Sequence, residues 1–162
     1  LVPEMAAEAR LKLDDVIVGN LDELNLREVL QNRRFDCIIC GDVLEHLKDP
    51  WSVLKSCQCL LKPEGKVIIS LPNIRHWSIV LPLIFRGKWE YTPQGILDKT
   101  HFRFFTKSSA SDLIKKSGLE LQYINIPIVG KRSAILSKIS FGILNDLLGV
   151  QISILAKNNK QA

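Results

Sequence analysis

Asp42, Glu45 and His46 follow closely behind the short apolar run Cys37–Cys40. Histidine exchanges protons near neutral pH, and an adjacent carboxylate such as Glu45 can tune its pKa. The spacing therefore indicates acid–base chemistry, with His46 as a candidate general base. Structural alternatives stay open, because Asp42 can cap the following turn and His46 can bond to the backbone at a helix start.

A second histidine, His101, lies in a long irregular stretch that is rich in aromatic residues. Long segments without regular structure in compact domains are usually functional. Thr100, Phe102 and Arg103 flank the histidine. We therefore take His101 as the stronger candidate base, although it can equally serve to orient the loop.

Helices and strands alternate around these residues, which predicts an α/β fold with a mostly parallel sheet covered by helices on both faces. Two strands joined by one helix at the C-terminus predict an antiparallel edge. Ligands of such sheets bind beyond the carboxyl ends of the strands, where Asp42, Glu45 and His46 fall. The predicted helices span residues 3–12, 20–30, 50–61, 107–117 and 133–148, and the predicted strands span residues 16–18, 37–40, 67–71, 119–129 and 150–157.

A single domain over residues 1–157 is expected, with an inserted helix and loop at 74–106 and a polar tail at 158–162. The chain of 162 residues is 46% hydrophobic and 24% charged, as in soluble globular proteins. No apolar run reaches the roughly 18 residues of a membrane span, and the first residues lack a signal-peptide core. A cytoplasmic location is the default expectation.

The basic residues occur as scattered pairs within a net charge of +5, so no nucleic-acid partner is expected. The four cysteines, Cys37, Cys40, Cys57 and Cys59, are predicted to be free buried thiols. Cys37 and Cys40 would face opposite sides of a strand, and Asp42 stands where the inverted zinc-protease motif needs histidine. No metal site is predicted.

Four stretches together resemble the class I methyltransferases that use S-adenosylmethionine, in the small-molecule branch related to ubiquinone-biosynthesis methyltransferases. Their order and spacing are more specific than any one of them. The resemblance extends from about the first helix to about Val129, and it implies a Rossmann-like sheet. The stretches are Phe35–Pro50 (FDCIICGDVLEHLKDP), Leu60–Ser70 (LLKPEGKVIIS), Asp98–Thr106 (DKTHFRFFT) and Leu113–Leu119 (LIKKSGL).

The sequence departs from that family at its beginning. Members bind the cofactor with a glycine-rich turn after the first strand, and no such turn occurs here. By the resemblance, the domain lacks its first two strands. The chain is therefore expected to be a fragment of a longer protein, the alternative being a fold rearranged to work without those strands.

The resemblance implies S-adenosylmethionine as cofactor and assigns two groups of residues to it. Gly19, Asn20 and Leu21 would contact the adenine, although Asn20 can instead cap a helix. Cys40, Gly41 and Asp42 would lie beside the methionine part of the cofactor. Gly41 would allow close backbone approach there.

The resemblance also implies a methyl acceptor, with His101 and His46 as candidate bases. Trp77, Trp89, Tyr91 and Arg103 are predicted to bind this acceptor, since an aromatic cover suits an apolar or lipid-like molecule. The alternatives are that these aromatics close the core, or that the segment 77–91 contacts a partner subunit or a membrane surface.

The expected function is methyl transfer to a small molecule such as a lipid, a quinone or a sugar-like compound. The alternative is a catalytically inactive methyltransferase-like domain that acts as a binding or scaffolding partner. Formation of a homo-oligomer is left open.

Overall fold

A four-stranded mixed sheet forms the centre of the structure, a computed structural model that describes residues 3–159. The strand order is β1 (Phe35–Gly41), β2 (Leu61–Pro72), β4 (Gln151–Asn158) and β3 (Leu119–Asn125). β1 and β2 are parallel, and β4 runs antiparallel to both β2 and β3. Three strands therefore share one direction, which confirms the mostly parallel sheet with an antiparallel C-terminal edge.

Helices connect the strands, and local sequence signals set their ends. Asp49 caps α3 by accepting a hydrogen bond from Ser52 N at 3.2 Å, with Pro50 in the first turn as predicted. Thr106 and Ser109 form a capping box on α5, and Gly118 follows that helix at a φ of +78°. In residues 3–159 the helices are α1 (Pro3–Arg10), α2 (Leu26–Val29), the 3₁₀ turn Leu44–His46, α3 (Pro50–Leu60), α4 (Trp77–Arg86), α5 (Lys107–Lys116), α6 (Lys131–Ile139) and α7 (Asn145–Leu148).

The core lies between α3, α5 and one face of the sheet. Side chains of β2 and β4 alternate across the sheet, so every second residue points into this core. Burial of this apolar surface is the main favourable contribution to folding. The buried residues on these elements include Leu54, Cys57, Val67, Ile69, Leu71, Ala110, Leu113, Ile114, Ile152, Ile154 and Ala156.

The opposite face of the sheet is bare, which corrects the expectation of helices on both faces. Ile39, Ile68, Leu155 and Tyr123 form a continuous row across the four strands on this face. Ile39 is 72% exposed, and Ile68 and Tyr123 are exposed as well. Sheets with parallel strands normally bury both faces, so this row is apolar surface that lacks a cover in residues 3–159.

Three predicted elements differ from the structure. Residues 16–18 form no strand, because no strand in the described part of the chain pairs with them. Asn20 begins a turn rather than a helix, since Glu23 N and Leu24 N donate to its carbonyl and α2 starts only after Asn25. The predicted strand 67–71 begins earlier, at Leu61, because residues 62–65 form a bulge within β2.

The C-terminal helix is also shorter than predicted. Phe141 and Gly142 adopt φ values of +50° and +81°, which break residues 133–148 into α6 and α7. β3 ends at Asn125, two residues before Pro127. Within the predicted polar tail, Asn158 closes β4, and residues 160–162 lie outside the described residues.

Cys40 and Cys57 are buried, as predicted for free thiols, and their mutual hydrogen bond and burial raise the pKa of Cys57. Cys37 is exposed instead, because it points to the bare face of the sheet, and Cys59 is only partly buried. Among the described residues, no helix has both the length and the apolar character needed to cross a membrane.

Asn73 joins α4 to the end of α7, and its loss is expected to destabilise the fold. The buried Asn73 side chain donates to the carbonyls of Asp146 and Gly149, both at 2.8 Å. Asn73→Ala leaves these groups without their donor, so we expect a loss of about 2–4 kcal/mol in the free energy of unfolding.

Urea unfolding followed by circular dichroism measures this change. Gln122→Ala, which alters an exposed amide on β3, serves as the control and is expected to stay within about 0.5 kcal/mol of the parent. Equal stability of the two variants would contradict the assignment.

Candidate functional site

Three polar residues at the ends of neighbouring strands form one hydrogen-bonded group. Asp42 follows β1, Ser70 lies near the end of β2 and Gln151 begins β4. Asp42 Oδ1 accepts from Ser70 Oγ at 2.5 Å and from Gln151 Nε2 at 2.6 Å. These bonds fix the carboxylate of Asp42, whose φ of +50° is unfavourable for a residue other than glycine by about 1–2 kcal/mol.

Glu45, His46 and His101 converge beside this group. The rings of His46 and His101 meet edge to face, with centroids 4.6 Å apart. One ligand atom from each of the three residues lies within 4.8 Å of the others. The structure thus brings together the two predicted bases, which are 55 positions apart in the sequence.

Hydrogen bonds at Nδ1 assign the same tautomer to both histidines. Nδ1 of His101 lies 3.0 Å from the carbonyl oxygen of Ile96, which can only accept, so this nitrogen carries the proton. Nδ1 of His46 lies 3.1 Å from Thr100 Oγ1, whose own proton is donated to Asp98 Oδ1 at 2.7 Å. This tautomer of the imidazole leaves a lone pair on Nε2 in each ring.

Glu45 is the most unusual member of the cluster. Its side chain is 1% exposed, and neither carboxylate oxygen has a hydrogen-bond partner among the described residues. Desolvation raises the pKa of Glu45, and the charge of Asp42 adds to this effect. A buried carboxylate without a partner costs free energy, so the cluster is suited to receiving a proton or a cation.

Backbone contacts hold the loop that carries His101 against the turn that carries His46. The carbonyl oxygen of Glu45 accepts from Phe102 N at 2.9 Å and from Arg103 N at 3.0 Å. Hydrogen bonds from Thr100 lower the pKa of Asp98, which keeps that loop residue ionised and bonded. The loop is thereby fixed on both sides of His101.

A cavity of about 320 Å³ opens in front of these residues. Residues of both polar groups line it, together with apolar residues. A small molecule in the cavity would therefore adjoin Asp42 and both histidines, whereas the Glu45 carboxylate oxygens are buried behind them. The lining residues are Asp42, Glu45, His46, Pro72, Gly95, Ile96, His101, Val150 and Gln151.

The predicted acceptor residues fall into two groups. Trp89 and Tyr91 pack against Phe104, with ring centroids 5.5 and 6.3 Å away, and Phe104 in turn lies 6.3 Å from His101. Trp77 is separate from them and packs on His76 at the start of α4. The first two therefore adjoin the histidine cluster.

Arg103 is engaged by the protein itself. Its Nε and Nη2 donate to the carbonyl of Lys48 at 3.0 and 2.5 Å, and its guanidinium lies 5.4 Å from the ring of Trp51. These contacts tie the His101 loop to the start of α3. They indicate a positioning role beside the predicted binding role.

The predicted cofactor residues line the other side of β1. Leu21 and Cys40 border a second, apolar cavity of about 330 Å³ between α2, α3 and β1. A Cβ at Gly41 would meet no atom within 4 Å, which leaves room for a ligand there. At position 19, local packing rather than a ligand accounts for the glycine. A Cβ there would lie 2.6 Å from the Leu24 side chain.

Asn20 is turned toward its own loop. It accepts from Asp22 N at 3.1 Å and donates to Glu23 at 2.8 Å. The carboxylate of Asp22 in turn accepts from Lys48 N and Asp49 N. The loop 19–22 is thus anchored to the residues in front of α3.

Ser70 and Gln151 were missed by sequence reasoning, and so was the burial of Glu45. Gln151 is 109 positions away from Asp42, and no local pattern links the two. The one signal in the sequence that could have indicated them is that each is a polar residue at the end of a strand, where ligands of such sheets bind.

Two imidazoles and a carboxylate are also ligands that divalent transition metals accept. The prediction of no metal site rested on the cysteines and on a motif mismatch at Asp42. It did not consider the pairing of His46 with His101. The donor set of Glu45, His46 and His101 fits such a cation.

Comparisons with known proteins identify a matching family and similar proteins. The family described as Methyltransferase domain matches residues 4–124. The ubiquinone biosynthesis O-methyltransferase of Acinetobacter baylyi is 30% identical over 120 residues, which are 70% of this chain and 49% of that protein. The protein of the same name from Cereibacter sphaeroides is 35% identical over 89 residues, or 54% of this chain and 35% of that protein.

Solved structures share the fold at low identity. A SAM-dependent methyltransferase of Thermotoga maritima, titled a possible histamine N-methyltransferase, has a TM-score of 0.63 and 19% identity, covering 96% of this chain and 69% of that one. A SAM-dependent methyltransferase of Archaeoglobus fulgidus has a TM-score of 0.62 and 15% identity, covering 95% and 72%. The chain spans about half the length of the Acinetobacter relative it matches.

Replacing Glu45 is expected to stabilise the protein in a pH-dependent way. Because the folded-state pKa of Glu45 is raised above 4.5, its protonated form favours folding at low pH, and this stability is lost as the pH rises. The side chain of the Glu45→Gln variant cannot ionise, so the variant does not lose this stability as the pH rises. The melting temperature of the variant should therefore exceed that of the parent by a margin that grows from about pH 4.5 toward neutrality.

Thermal unfolding by circular dichroism across this pH range, in the presence of a chelator, measures the margin. Glu28→Gln, at an exposed carboxylate of α2, is the matched control and should show a constant difference from the parent. A constant difference for Glu45→Gln as well would refute the assignment.

Proposed function

The chain belongs to the methyltransferase domain family, and from this premise we propose that it takes part in methyl transfer from S-adenosylmethionine to a hydroxyl group of a small molecule. The observation that carries the proposal is the convergence of Glu45, His46 and His101 at the carboxyl end of β1. Methyl transfer is an in-line displacement, for which a protein supplies alignment and a base.

The donor would lie along β1, between Leu21 and Cys40 on one side and Gly41 and Asp42 on the other. The apolar cavity beside Leu21 suits a flat ring, and the open space at Gly41 suits close backbone approach. When bound, the donor supplies a methyl group on a positively charged sulfur. Asp42, an acceptor fixed by Ser70 and Gln151, favours positive charge nearby.

The acceptor hydroxyl would enter the cavity in front of the histidines. Nε2 of His46 or His101 can accept its proton, because each ring is oriented through Nδ1. Trp89 and Tyr91, with Phe104, add an apolar wall next to His101. Lipids, quinones and sugar-like compounds all carry hydroxyls, and the aromatic wall favours an acceptor with an apolar part.

In a different mode, a divalent cation on Glu45, His46 and His101 would take the Nε2 lone pairs in place of a proton. It would polarise the acceptor oxygen and lower the pKa of its hydroxyl. The buried carboxylate of Glu45 supports this mode, since a cation would compensate its charge. Zn²⁺ that raises the melting temperature of the parent, but not that of Glu45→Gln, would support it.

We further propose that the chain is part of a longer methyltransferase. The free edge of β1 and the bare row beginning at Ile39 are surfaces that additional strands and helices of the same domain would cover. The relative from Acinetobacter is about twice as long as the matched region, which supports this view. A scaffolding role without catalysis is the competing function.

Loss of either histidine is expected to slow methyl transfer. His101→Asn and His46→Asn should each lower kcat by about 10²–10⁴-fold in a chain that includes the upstream part of the domain. The rise of the parent rate with pH should also be lost. Release of S-adenosylhomocysteine with a simple catechol as the probe acceptor provides the measurement.

His76→Asn is the control for these variants, because His76 caps α4 and lies outside the cluster. This variant should retain the kcat of the parent. Equal losses in all three variants would show that the effect is structural.

Cofactor affinity is expected to depend on the upstream part of the domain. In calorimetric titration with S-adenosylhomocysteine, a longer chain with a glycine-rich turn should bind at least about tenfold more tightly than residues 1–162. Equal affinity of the two chains would overturn the fragment proposal. Absence of binding by both would favour the scaffolding role.

A further inference from the structure

Positive charge is concentrated in two segments, residues 74–89 and 129–144, hereafter the first and second basic segments. Each contains three lysines or arginines and no acidic residue. The whole chain has a net charge of +5, so the remaining residues together carry a charge of −1. The net positive charge is therefore concentrated in two segments, although the basic residues occur as scattered pairs in the sequence.

The same two segments expose much of the apolar surface. Of 25 exposed large hydrophobic residues in the described part of the chain, 13 lie in these segments, which make up 32 of 162 residues. Such enrichment marks an interaction site rather than isolated surface residues. The 13 are Trp77, Leu81, Leu83, Ile84, Phe85, Trp89, Val129, Ile135, Leu136, Ile139, Phe141, Ile143 and Leu144.

Phe141 is the most exposed of these 13 hydrophobic residues. Its side chain is 94% exposed, and its backbone adopts a φ of +50°, which is rare for a bulky residue. It stands at the tip between α6 and α7, next to Gly142. A strained tip that presents an aromatic ring to solvent is a feature of ligand-binding segments.

Hydrogen bonds bring the two basic segments to the same end of the sheet. Arg75, at the start of the first segment, pairs with Asp146 of α7 at 3.2 Å. Asn73 binds the carbonyls of Asp146 and Gly149 just beyond the second segment. Pro72 and Val150, which line the cavity of the histidine cluster, lie two residues before the first segment and six residues after the second.

We propose that the two basic segments form a docking surface for an anionic lipid bilayer. Exposed aromatic and aliphatic side chains would enter the headgroup region, and the other four basic residues of the segments would pair with lipid phosphates. Arg75 and Lys88 are already paired with Asp146 and Glu90. α4 has ten residues, which suits a helix lying in the interface. This role goes beyond methyl transfer and does not depend on it.

Charge complementarity favours a bilayer over a second copy of the chain. Arg75 and Lys88 are paired with acidic residues just outside the segments, which leaves four basic residues there without such a pair among those described. Two copies meeting through these segments would bring these four positive charges against four others. An anionic bilayer offers opposite charge and an apolar interior at once. Docking there would place the cavity entrance next to the lipid.

Flotation with vesicles tests the proposal. The chain should bind vesicles of phosphatidylcholine and phosphatidylglycerol in equal parts, and should bind vesicles of phosphatidylcholine alone at least about tenfold more weakly. Fluorescence should shift to the blue on binding, because Trp77 and Trp89 lie in the first segment. Binding should weaken as the salt concentration rises.

Variants distinguish vesicle binding through the two basic segments from non-specific adsorption of the protein to vesicles. Phe85→Asp and Phe141→Asp should each reduce binding about tenfold, whereas Met5→Asp, at an exposed apolar position of α1, should leave it unchanged. Changing Lys131 and Arg132 to Gln should reduce binding to anionic vesicles about tenfold or more. The same change at Lys115 and Lys116 of α5 should have little effect.

Two results would overturn the proposal. One is absence of vesicle binding by the parent chain, or equal losses in the Met5 and Phe85 variants. The other is a dimer in sedimentation velocity that Phe85→Asp dissociates without any vesicle binding, which would assign the surface to a second copy. Circular dichroism of each variant confirms that it is folded.

Discussion

The carbonyl oxygen of Glu45 holds the site together. It accepts hydrogen bonds from Phe102 N and Arg103 N, and through them it fixes the loop after β2 against the turn after β1. Arg103 strengthens this link by bonding to Lys48 and stacking on Trp51. Together with the bond between Thr100 and His46, these contacts define the position of His101 relative to His46.

Two residues of the turn after β1 have features that lower the stability of the fold and are typical of ligand-binding sites. The carbonyl oxygen of Glu45 accepts two hydrogen bonds, whereas its buried carboxylate has no hydrogen-bond partner among residues 3–159. Asp42, three residues earlier, combines a strained backbone with a carboxylate that the protein fixes from two other strands. Local strain and unpaired charge of this kind concentrate where proteins bind and transform ligands.

Local signals in the sequence were enough for much of the fold. α3 follows from Asp49, Pro50 and an apolar face, and β1 and the core of β2 follow from short apolar runs. The segment 16–18 failed as a strand because pairing depends on a neighbour that no local pattern reveals. The contact of Gln151 with Asp42 and the burial of Glu45 are likewise products of tertiary structure. The sequence indicated the site through the residue types of Asp42 and the two histidines and through the position of Asp42 and His46 after a predicted strand.

The reversed strand β4 has a consequence for the order of folding. β4 comes last among the strands in the sequence, yet it lies between β2 and β3 and pairs with both. During synthesis, β2 and β3 therefore leave the ribosome with open edges and join only when β4 arrives. The site is completed at the same moment, since Gln151 begins that strand, and nascent chains without it carry two unpaired edges open to misassembly.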